Sequence, residues 1–526
     1  MGRDKVLSMP NRQLTVLETD VALSTSAIWG LQREFYAQRG IQAWTEDMVP
    51  QFITNNPFIA EIYARILFSF LSDSTVSALS PANPLRIFEL GAGVGKFSYL
   101  LLRKLTDLLQ TQGIAPATIR YCMTDCSEGV IQEWRRNHYL AEFVSNGMLE
   151  FERFQVGEKI DSQFLRSQGP LVLIANYVFD SLPQDAFEIK EGQIFEALVS
   201  TTAPSPGDAA SMNALSGLQL SYKNVPLEPQ RYPEESWNQI LEYYRCHLAA
   251  GSLLFPCVAL ETLRAFREFA DGGMLVLAAD KGFAHEEEIA LCQGPPTIEF
   301  HAPNCFSQMV NFDAIGKYVQ AGGGAALLPD KHFTGLNICG FIQGRSGEQF
   351  PATMAAYGES QAAFGPDDLF ALFAWLNAHM EEMTVPQILA ALRLTRWDPI
   401  LLLRVFPVLA RQLRTVGIER HDLRSAVFKT WANHYPVNQS ENALAFDCGV
   451  ILLELRFFED ALSMFKISQQ ALGPSAATSY NLGLCCLGLG DTSQALGFMV
   501  EACELDPTFE PARLSREKLE RGSAMG

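Results

Sequence analysis

Apolar residues follow two different spacings along the chain, and the change between them divides it. Residues 85–88 form a short apolar run between Pro84 and a glycine-rich turn, which is typical of a buried parallel strand. After the turn, "KFSYLLLRKLTDLL" repeats apolar residues at helical spacing, so a strand, a turn and a helix follow in order. The same order recurs at "IRYCMTD" and again at "GPLVLIANYVFDSLP". Strands that alternate with helices predict a doubly wound, Rossmann-like α/β sheet.

The last part of the chain shows helical patterns only, and a segment of it repeats. A shift of 34 residues superposes Gly449 on Gly483, and small residues at these points would let two antiparallel helices approach each other. The segment "NLGLCCLGLGDTSQALGFMVEACELDP" resembles a tetratricopeptide (TPR) repeat in its Leu-Gly, Ala and Pro positions. Cys486 and Met499 stand where that repeat has aromatic residues.

These patterns predict three regions. We expect a helical amino-terminal region over 1–84, the α/β domain over 85–350, and an all-α TPR-like domain over 365–526. Residues 200–216 are small, polar and rich in proline and glycine, so we interpret them as a surface excursion within the α/β domain.

Composition narrows the classes of function. Hydrophobic residues make up 48% and charged residues 19% of the 526 residues, as in a globular protein. The net charge of −19 argues against a nucleic-acid partner. No apolar run reaches the roughly 18 to 20 residues of a membrane helix, so we expect no membrane partner. The eleven cysteines form no C-x-x-C pair and have no histidine at zinc spacing, which indicates reduced thiols in a cytoplasmic protein and no metal site.

The glycine-rich turn carries the first candidate chemistry. It is written "FELGAGVGKFS", with glycines at Gly91, Gly93 and Gly95 and an acid, Glu89, just before them. Such a turn lets a ligand approach the backbone and the helix amino terminus, but a dinucleotide fingerprint has its third glycine one position later. A carboxylate beside the turn would repel a pyrophosphate and suits a cation. The alternative is a turn that only lets the helix pack on the sheet.

S-adenosylmethionine is a cationic nucleoside without phosphate, and an acid leading into G-x-G-x-G resembles the signature of class I methyltransferases. Asp125 ends the second strand, where an acid can accept hydrogen bonds from both ribose hydroxyls. In such enzymes an acid often lies near the adenine after the third strand, and Gln155 occupies that position here. The resemblance implies that S-adenosyl-L-methionine is the cofactor.

Four further segments resemble the MidA-like methyltransferases over about residues 45–345. In chain order they are "FITNNPFIAEIYA", "ANYVFDSLPQDAF", "LVLAADKGF" and "SQMVNFDAIGKYV". Some members of that family methylate arginine in proteins, so the resemblance implies a protein substrate. Tyr177 stands where the family has a glutamate and Lys281 where it has a tyrosine, which leaves the acceptor open.

Candidates for catalysis lie at the carboxyl end of the fourth strand, which faces the transferred methyl group in this fold. They are Asn176, Tyr177 and Asp180, with Asn176 also expected to contact the cofactor, and Asp280 as a weaker candidate. An arginine acceptor would need a carboxylate to orient it and take a proton. The structural alternatives are a helix amino-terminal cap for Asp180 and a turn residue for Asp280. His301 is either a general base or a packed side chain.

Three functions remain compatible with the sequence. The first is a methyltransferase whose TPR-like domain recruits a protein or peptide substrate. The second is an assembly or chaperone scaffold that keeps the methyltransferase fold without turnover. The third is a biosynthetic methyltransferase acting on a small molecule.

Overall fold

The described residues of the first unit contain a seven-stranded sheet, a five-stranded sheet, two small two-stranded sheets and the helices that accompany them. The structure is a computed structural model with two compact units, residues 1–55 with 62–367 and residues 56–61 with 368–526. It describes residues 15–40, 42, 53–74, 79–160, 169–203, 217–301, 305–332, 335–344, 347–362 and 364–523.

The strands of the first unit are short, and the longest have eleven residues. They are β1 (Thr15–Val21), β2 (Leu85–Leu90), β3 (Ile119–Asp125), β4 (Leu149–Arg153), β5 (Gly169–Asn176), β6 (Asp185–Lys190), β7 (Gln193–Ala203), β8 (Gln219–Pro226), β9 (Ala250–Phe255), β10 (Ala270–Asp280), β11 (Gly282–Phe283), β12 (Ile298–His301), β13 (Cys305–Gln308), β14 (Val310–Asn311), β15 (Ala325–Leu327) and β16 (Asn337–Gln343).

α-Helices lie between several of these strands and after the last one. They are α1 (Ile28–Arg39), α2 (Pro57–Asp73), α3 (Lys96–Thr111), α4 (Glu128–Arg136), α5 (His138–Ser145), α6 (Glu235–His247), α7 (Cys257–Arg267), α8 (Glu286–Leu291), α9 (Phe312–Ala321) and α10 (Pro351–Ala362). The first turn of α2 belongs by its contacts to the second unit.

The larger sheet has seven strands in the order β15-β16-β10-β5-β2-β3-β4. The pairs from β10 to β4 are parallel, while β16 is antiparallel to both of its neighbours. All six residues of β2 are buried, as a central parallel strand requires. The chain moves outward from β2 to β4 and then returns to the other side of β2 as β5, so the strand order reverses between β2 and β5. The mixed α/β domain predicted from the sequence is therefore confirmed.

The smaller sheet was not predicted. Its order is β1-β7-β6-β9, β8 also pairs with β7, and every pair is antiparallel. The expectation of a purely helical region over 1–84 is wrong, because β1 pairs with the far end of β7. Residues 200–203 of the expected surface excursion belong to β7, and 204–216 lie outside the described residues.

The described residues of the second unit form helices joined by turns and loops, with no β-strand, which confirms the all-α prediction for this part. Its helices are α11 (Pro366–His379), α12 (Val385–Leu394), α13 (Pro399–Gln412), α14 (Arg420–Ala432), α15 (Leu444–Glu454), α16 (Phe458–Leu472), α17 (Ala476–Gly488), α18 (Thr492–Leu505) and α19 (Glu510–Ser523).

The 34-residue repeat corresponds to two helix pairs, α15 with α16 and α17 with α18. A Cβ atom built on Gly449 would lie 2.7 Å from Phe465, and one built on Gly483 would lie 2.7 Å from Met499. These partners are themselves 34 residues apart, so each pair uses a glycine at the same point of contact. The close approach predicted from the small residues is present in both pairs.

Among the described helices, none is both long enough and apolar enough to cross a bilayer.

Candidate functional site

A cleft opens at the carboxyl ends of β2, β3 and β5, where the strand order of the larger sheet reverses. Ligands of open α/β sheets bind at such a reversal, outside the carboxyl ends of the strands. The predicted site residues that line this cleft are Glu89, Gly91, Gly93, Asp125, Gln155, Asn176 and Tyr177.

The turn after β2 depends on its glycines. Gly91, Gly93 and Gly95 have φ angles of +63°, +54° and +80°, a left-handed conformation that side chains make costly. A Cβ atom on Gly91 would lie 3.3 Å from Cγ2 of Val178, which lines the cleft. Gly95 does not line the cleft; it is the residue before the first turn of α3. The glycines thus keep the backbone open toward the cleft and let α3 begin directly after it.

Glu89 is the buried acid at the entrance to this turn. Its Oε2 accepts a short hydrogen bond from Ser98 and one of 2.8 Å from the Tyr121 hydroxyl. Burial raises the pKa of the Glu89 carboxyl to about 7, although both hydroxyls act to lower it. Near neutral pH the carboxyl is therefore poised between its charged and neutral forms, and a cation in the cleft would favour the charged one.

Asp125 connects the turn to β3 and also lines the cleft. Its Oδ1 accepts from the Ser127 amide at 3.0 Å, and its Oδ2 accepts from the Gly93 amide at 3.4 Å. The indole of Trp134 donates to the Gly93 carbonyl at 2.8 Å, so both the backbone N–H and the backbone carbonyl of Gly93 are hydrogen-bonded. Burial raises the pKa of the Asp125 carboxyl above its ordinary value. Each carboxyl oxygen keeps a second lone pair, which is the acceptor capacity that a ribose diol requires.

The end of β5 presents two incompletely bonded side chains. The Asn176 Oδ1 accepts from the Tyr63 hydroxyl at 2.6 Å, but its buried Nδ2 finds no partner among the described residues. The buried hydroxyl of Tyr177 likewise has no partner within the described part of the chain. Tyr177 also has a φ of +54°, an uncommon conformation for a residue other than glycine, and such strain concentrates at functional sites. A bound ligand could satisfy both groups.

Asp180 and Asp280 do not line the cleft but lie buried together behind it. Asp280 Oδ2 accepts from the Phe179 amide at 3.1 Å, and Asp180 accepts from the Ser181 hydroxyl at 2.9 Å. Burial raises the pKa of Asp180 to about 6, and burial together with the charge of Asp180 raises that of Asp280 well above its usual range. Two neighbouring carboxyls without solvent are expected to share a proton.

Asp180 is not a helix cap, the structural alternative that the sequence offered, because the segment that follows, "DAFEIK", is strand β6. Asp280 is the last residue of β10, as its position in the sequence indicated. His301 lies in β12, and its Nε2 is 2.8 Å from the Ser307 hydroxyl, away from the cleft-lining residues.

One wall of the cleft was missed by the sequence analysis. It consists of Trp29, Gln32, Arg33 and Tyr36, four residues on one face of α1. Their spacing of i, i+3, i+4 and i+7 is the signal that could have revealed a functional helix face. Arg33 is exposed and makes no ion pair with a described carboxylate, so it brings a positive charge to the cleft.

The part of the chain that builds the cleft also matches a known family. Residues 72–296 match the model of the family described as "Putative S-adenosyl-L-methionine-dependent methyltransferase". This match is to a methyltransferase family. Its cofactor is S-adenosyl-L-methionine. The matched residues include the glycine turn and strands β2 to β10, but not α1.

More distant similarities were found among solved structures. An uncharacterized protein from Burkholderia thailandensis is 18% identical with a TM-score of 0.38, over 59% of this chain and 72% of that one. A member of the same superfamily from Burkholderia thailandensis, bound to S-adenosyl-homocysteine, is 17% identical with a TM-score of 0.38, over 59% of this chain and 73% of that one. These scores are too low to define the fold, which rests on the strand order. No curated protein matches the chain.

Proposed function

We propose that the chain is an S-adenosyl-L-methionine-dependent methyltransferase that acts on a protein or peptide. The observation that carries the proposal is the placement of two buried acids, Glu89 and Asp125, around a glycine turn at the reversal point of the sheet. A phosphate-bearing nucleoside would meet negative charge at this turn, whereas a sulfonium and an ammonium would be stabilised by it. The family match over residues 72–296 supports the same cofactor.

The residues present fit this cofactor. The positive φ of Gly91 and its close approach to Val178 leave a backbone surface that a side chain would fill. Asp125 has acceptor capacity for the ribose, and Gln155 lies on the same cleft wall for the adenine. Arg33 offers a counter-charge for a carboxylate such as that of the methionine part.

Methyl transfer from a sulfonium requires no covalent intermediate with the protein. When bound, the cofactor supplies a methyl group on a positively charged sulfur. The protein must align the acceptor atom with that methyl group and exclude water. Asn176 and Tyr177 would orient the acceptor, since both line the cleft and each carries a buried polar atom that has no partner among the described residues.

The chemical group that accepts the methyl group is not defined by the residues that line the cleft. Asp180 and Asp280 do not line it, and Tyr177 occupies the position where the MidA-like family has a glutamate. An arginine acceptor, if used, would therefore have to be oriented by Glu89 or by the peptide's own acids. The helical unit supports a protein or peptide substrate, since stacked helix pairs form extended binding surfaces.

Tyr177 at the position of the family's glutamate, together with the absence of Asp180 and Asp280 from the cleft lining, favours a second candidate, a scaffold that binds the cofactor without turnover. In that case the cleft would lack the carboxylate that an arginine acceptor needs.

Incubating the full chain with methyl-labelled cofactor and a cell lysate separates these candidates. We expect label in protein, and loss of that label in the Tyr177→Phe variant while cofactor binding persists. Label only in small molecules would contradict the proposed substrate class, and cofactor binding without any transfer would favour the scaffold.

A further inference from the structure

Three residues with metal-ligating side chains meet outside the cleft. They are His285, Glu287 and His332, and one ligand atom from each lies within 4.8 Å of the other two. His285 directly precedes α8, Glu287 lies in its first turn, and His332 lies in the segment after β15. None of the three lines the cofactor cleft. Their separation in the chain explains why the sequence spacing indicated no metal site.

The protonation of His285 is defined by its neighbour. Its Nε2 lies 2.7 Å from the carbonyl oxygen of Pro329. A carbonyl can only accept, so Nε2 must donate and the neutral ring keeps its lone pair on Nδ1. Metal-ligating histidines characteristically donate their other ring N–H to a backbone carbonyl or a carboxylate, which fixes the orientation of the ring. His285 already has this arrangement.

The backbone that carries His285 is also fixed. The Glu288 Oε2 accepts from the Ala284 amide at 2.7 Å and from the His285 amide at 3.1 Å. The rings of His285 and His332 stack, with 4.2 Å between their centroids and 22° between their planes. The two rings therefore already lie side by side, although the residues that carry them are 47 positions apart in the chain.

We propose that His285, Glu287 and His332 bind a divalent transition-metal ion of the zinc type. Two imidazoles and one carboxylate form a ligand set that zinc accepts, at about 2.0 to 2.2 Å, with water in the remaining position. The ligand atoms must move somewhat closer than in this structure. Glu287 and His332 are exposed, so this needs a rotation of side chains and no change in the core.

One interaction competes with the ion. The side chain of His285 also accepts from the Glu288 amide in the capping box of α8, and a metal on the same lone pair would replace that contact. The two hydrogen bonds of Glu288 to the backbone before the helix would remain and would keep the start of α8 in place. The ion would tie this helix start to the segment around Pro329 and His332, which makes its role structural.

The experiment measures zinc bound to the full chain. The protein is treated with a chelator, dialysed against micromolar zinc and analysed for metal content. We expect one zinc ion per chain in the wild type and its loss in both Glu287→Gln and His332→Gln, which alter exposed residues and are not expected to disturb folding. The wild type should also melt at a higher temperature with zinc than with chelator, and the two variants should not.

His247→Gln is the matched control, because His247 is an exposed histidine beside a thiol, Cys246, and an acid, Glu242. It should keep the zinc content of the wild type. Zinc retained in either of the two cluster variants, or a wild type that binds none, would overturn the proposal. The zinc content and the melting temperature do not depend on methyl transfer, so they test the metal site independently of the proposed function.

Discussion

At the scale of single residues, the cleft differs from a simple negative pocket because Glu89 is partly neutral near pH 7. Its two hydroxyl partners and its burial leave it with a pKa of about 7. The charge that selects a cation is thus present only when the carboxyl has lost its proton. Cofactor binding and proton release are therefore coupled.

This coupling gives a prediction for the pH dependence of binding. Affinity for S-adenosyl-L-methionine should rise as pH increases through about 7, by up to tenfold per pH unit below that value, and binding should release a proton. Calorimetry in buffers of different ionisation enthalpy measures both effects. Glu89→Gln should bind more weakly and lose the pH dependence, while Glu133→Gln on the exposed face of α4 should behave as the wild type. A wild-type affinity that is flat between about pH 6 and 8 would contradict this role.

The buried pair of Asp180 and Asp280 gives a prediction for stability. Folding raises the pKa of Asp180 from 3.8 to about 6 and raises that of Asp280 well above its ordinary value, so the folded chain holds protons that the unfolded chain releases. Stability must then fall as pH rises from the ordinary carboxyl range through about 6. Asp280→Asn keeps the shape, can still accept from the Phe179 amide, and can donate to Asp180. It should melt a few degrees higher than the wild type at about pH 8 and show a flatter pH profile.

Melting curves of the two proteins at several pH values are the measurement. Asp107→Asn, at an exposed-face position of α3, is the control and should leave the profile unchanged. If Asp280→Asn is destabilised at every pH, the carboxyl pair does not share a proton in the way we describe.

The sequence could predict that Glu89, the glycines and Asp125 lie together because a short motif fixes their local geometry. Glu89 and the glycines lie within one turn, and Asp125 ends a strand that must neighbour it in a parallel sheet. Asp180 and Asp280 were placed in the wrong surroundings for a related reason. A position at a strand end predicts the edge of the sheet, but it does not predict whether the side chain points into the cleft or behind it.

At the scale of elements, the glycine turn and α3 act as one unit. Gly91→Ala introduces a side chain at φ +63° that would lie 3.3 Å from Val178, so it should both strain the turn and narrow the cleft. Gly113→Ala is matched to it, with φ +68° and open space around the new atom. Both should lose about 1 kcal/mol of stability, but only Gly91→Ala should weaken cofactor binding, by more than about tenfold. Equal affinities in the two variants would show that the turn does not contact the cofactor.

The helix pairs of the second unit allow a similar contrast. A methyl group on Gly449 would lie 2.7 Å from the rigid ring of Phe465, whereas Gly497 in α18 has nothing within 4 Å. Gly449→Ala should therefore destabilise the helical unit by about 1 to 3 kcal/mol, and Gly497→Ala should stabilise it by up to about 1 kcal/mol. Urea unfolding followed by circular dichroism measures both. The same sign for both changes would mean that the pairs do not pack closely at the repeated glycine.

Element prediction succeeded where neighbours in the chain are neighbours in space. The alternation from β2 to β5 and the helical repeat are of this kind. Strand β1 pairs with β7 about 180 residues later, and no local sequence pattern predicts so distant a partner. The cleft wall from α1 was missed for a related reason, because the spacing of its four residues indicates a helix face but not that this face lies against the cleft.

At the scale of the whole molecule, the chain carries a cleft in one unit and an array of helices in the other. We propose that the cleft supplies the chemistry and that the helical unit binds the substrate, so label transfer must be tested with the full chain. Cofactor selection depends on the cleft alone: we propose that two buried acids beside a glycine turn select a cationic nucleoside without phosphate.

Calorimetric titration of the full chain with S-adenosyl-L-methionine and, separately, with NAD tests that claim most directly. We predict saturable binding of S-adenosyl-L-methionine that Gly93→Arg and Asp125→Ala abolish while the variants stay folded, and no binding of NAD at the same concentrations. Binding of NAD that competes for the cleft, or S-adenosyl-L-methionine binding unchanged in both variants, would contradict it.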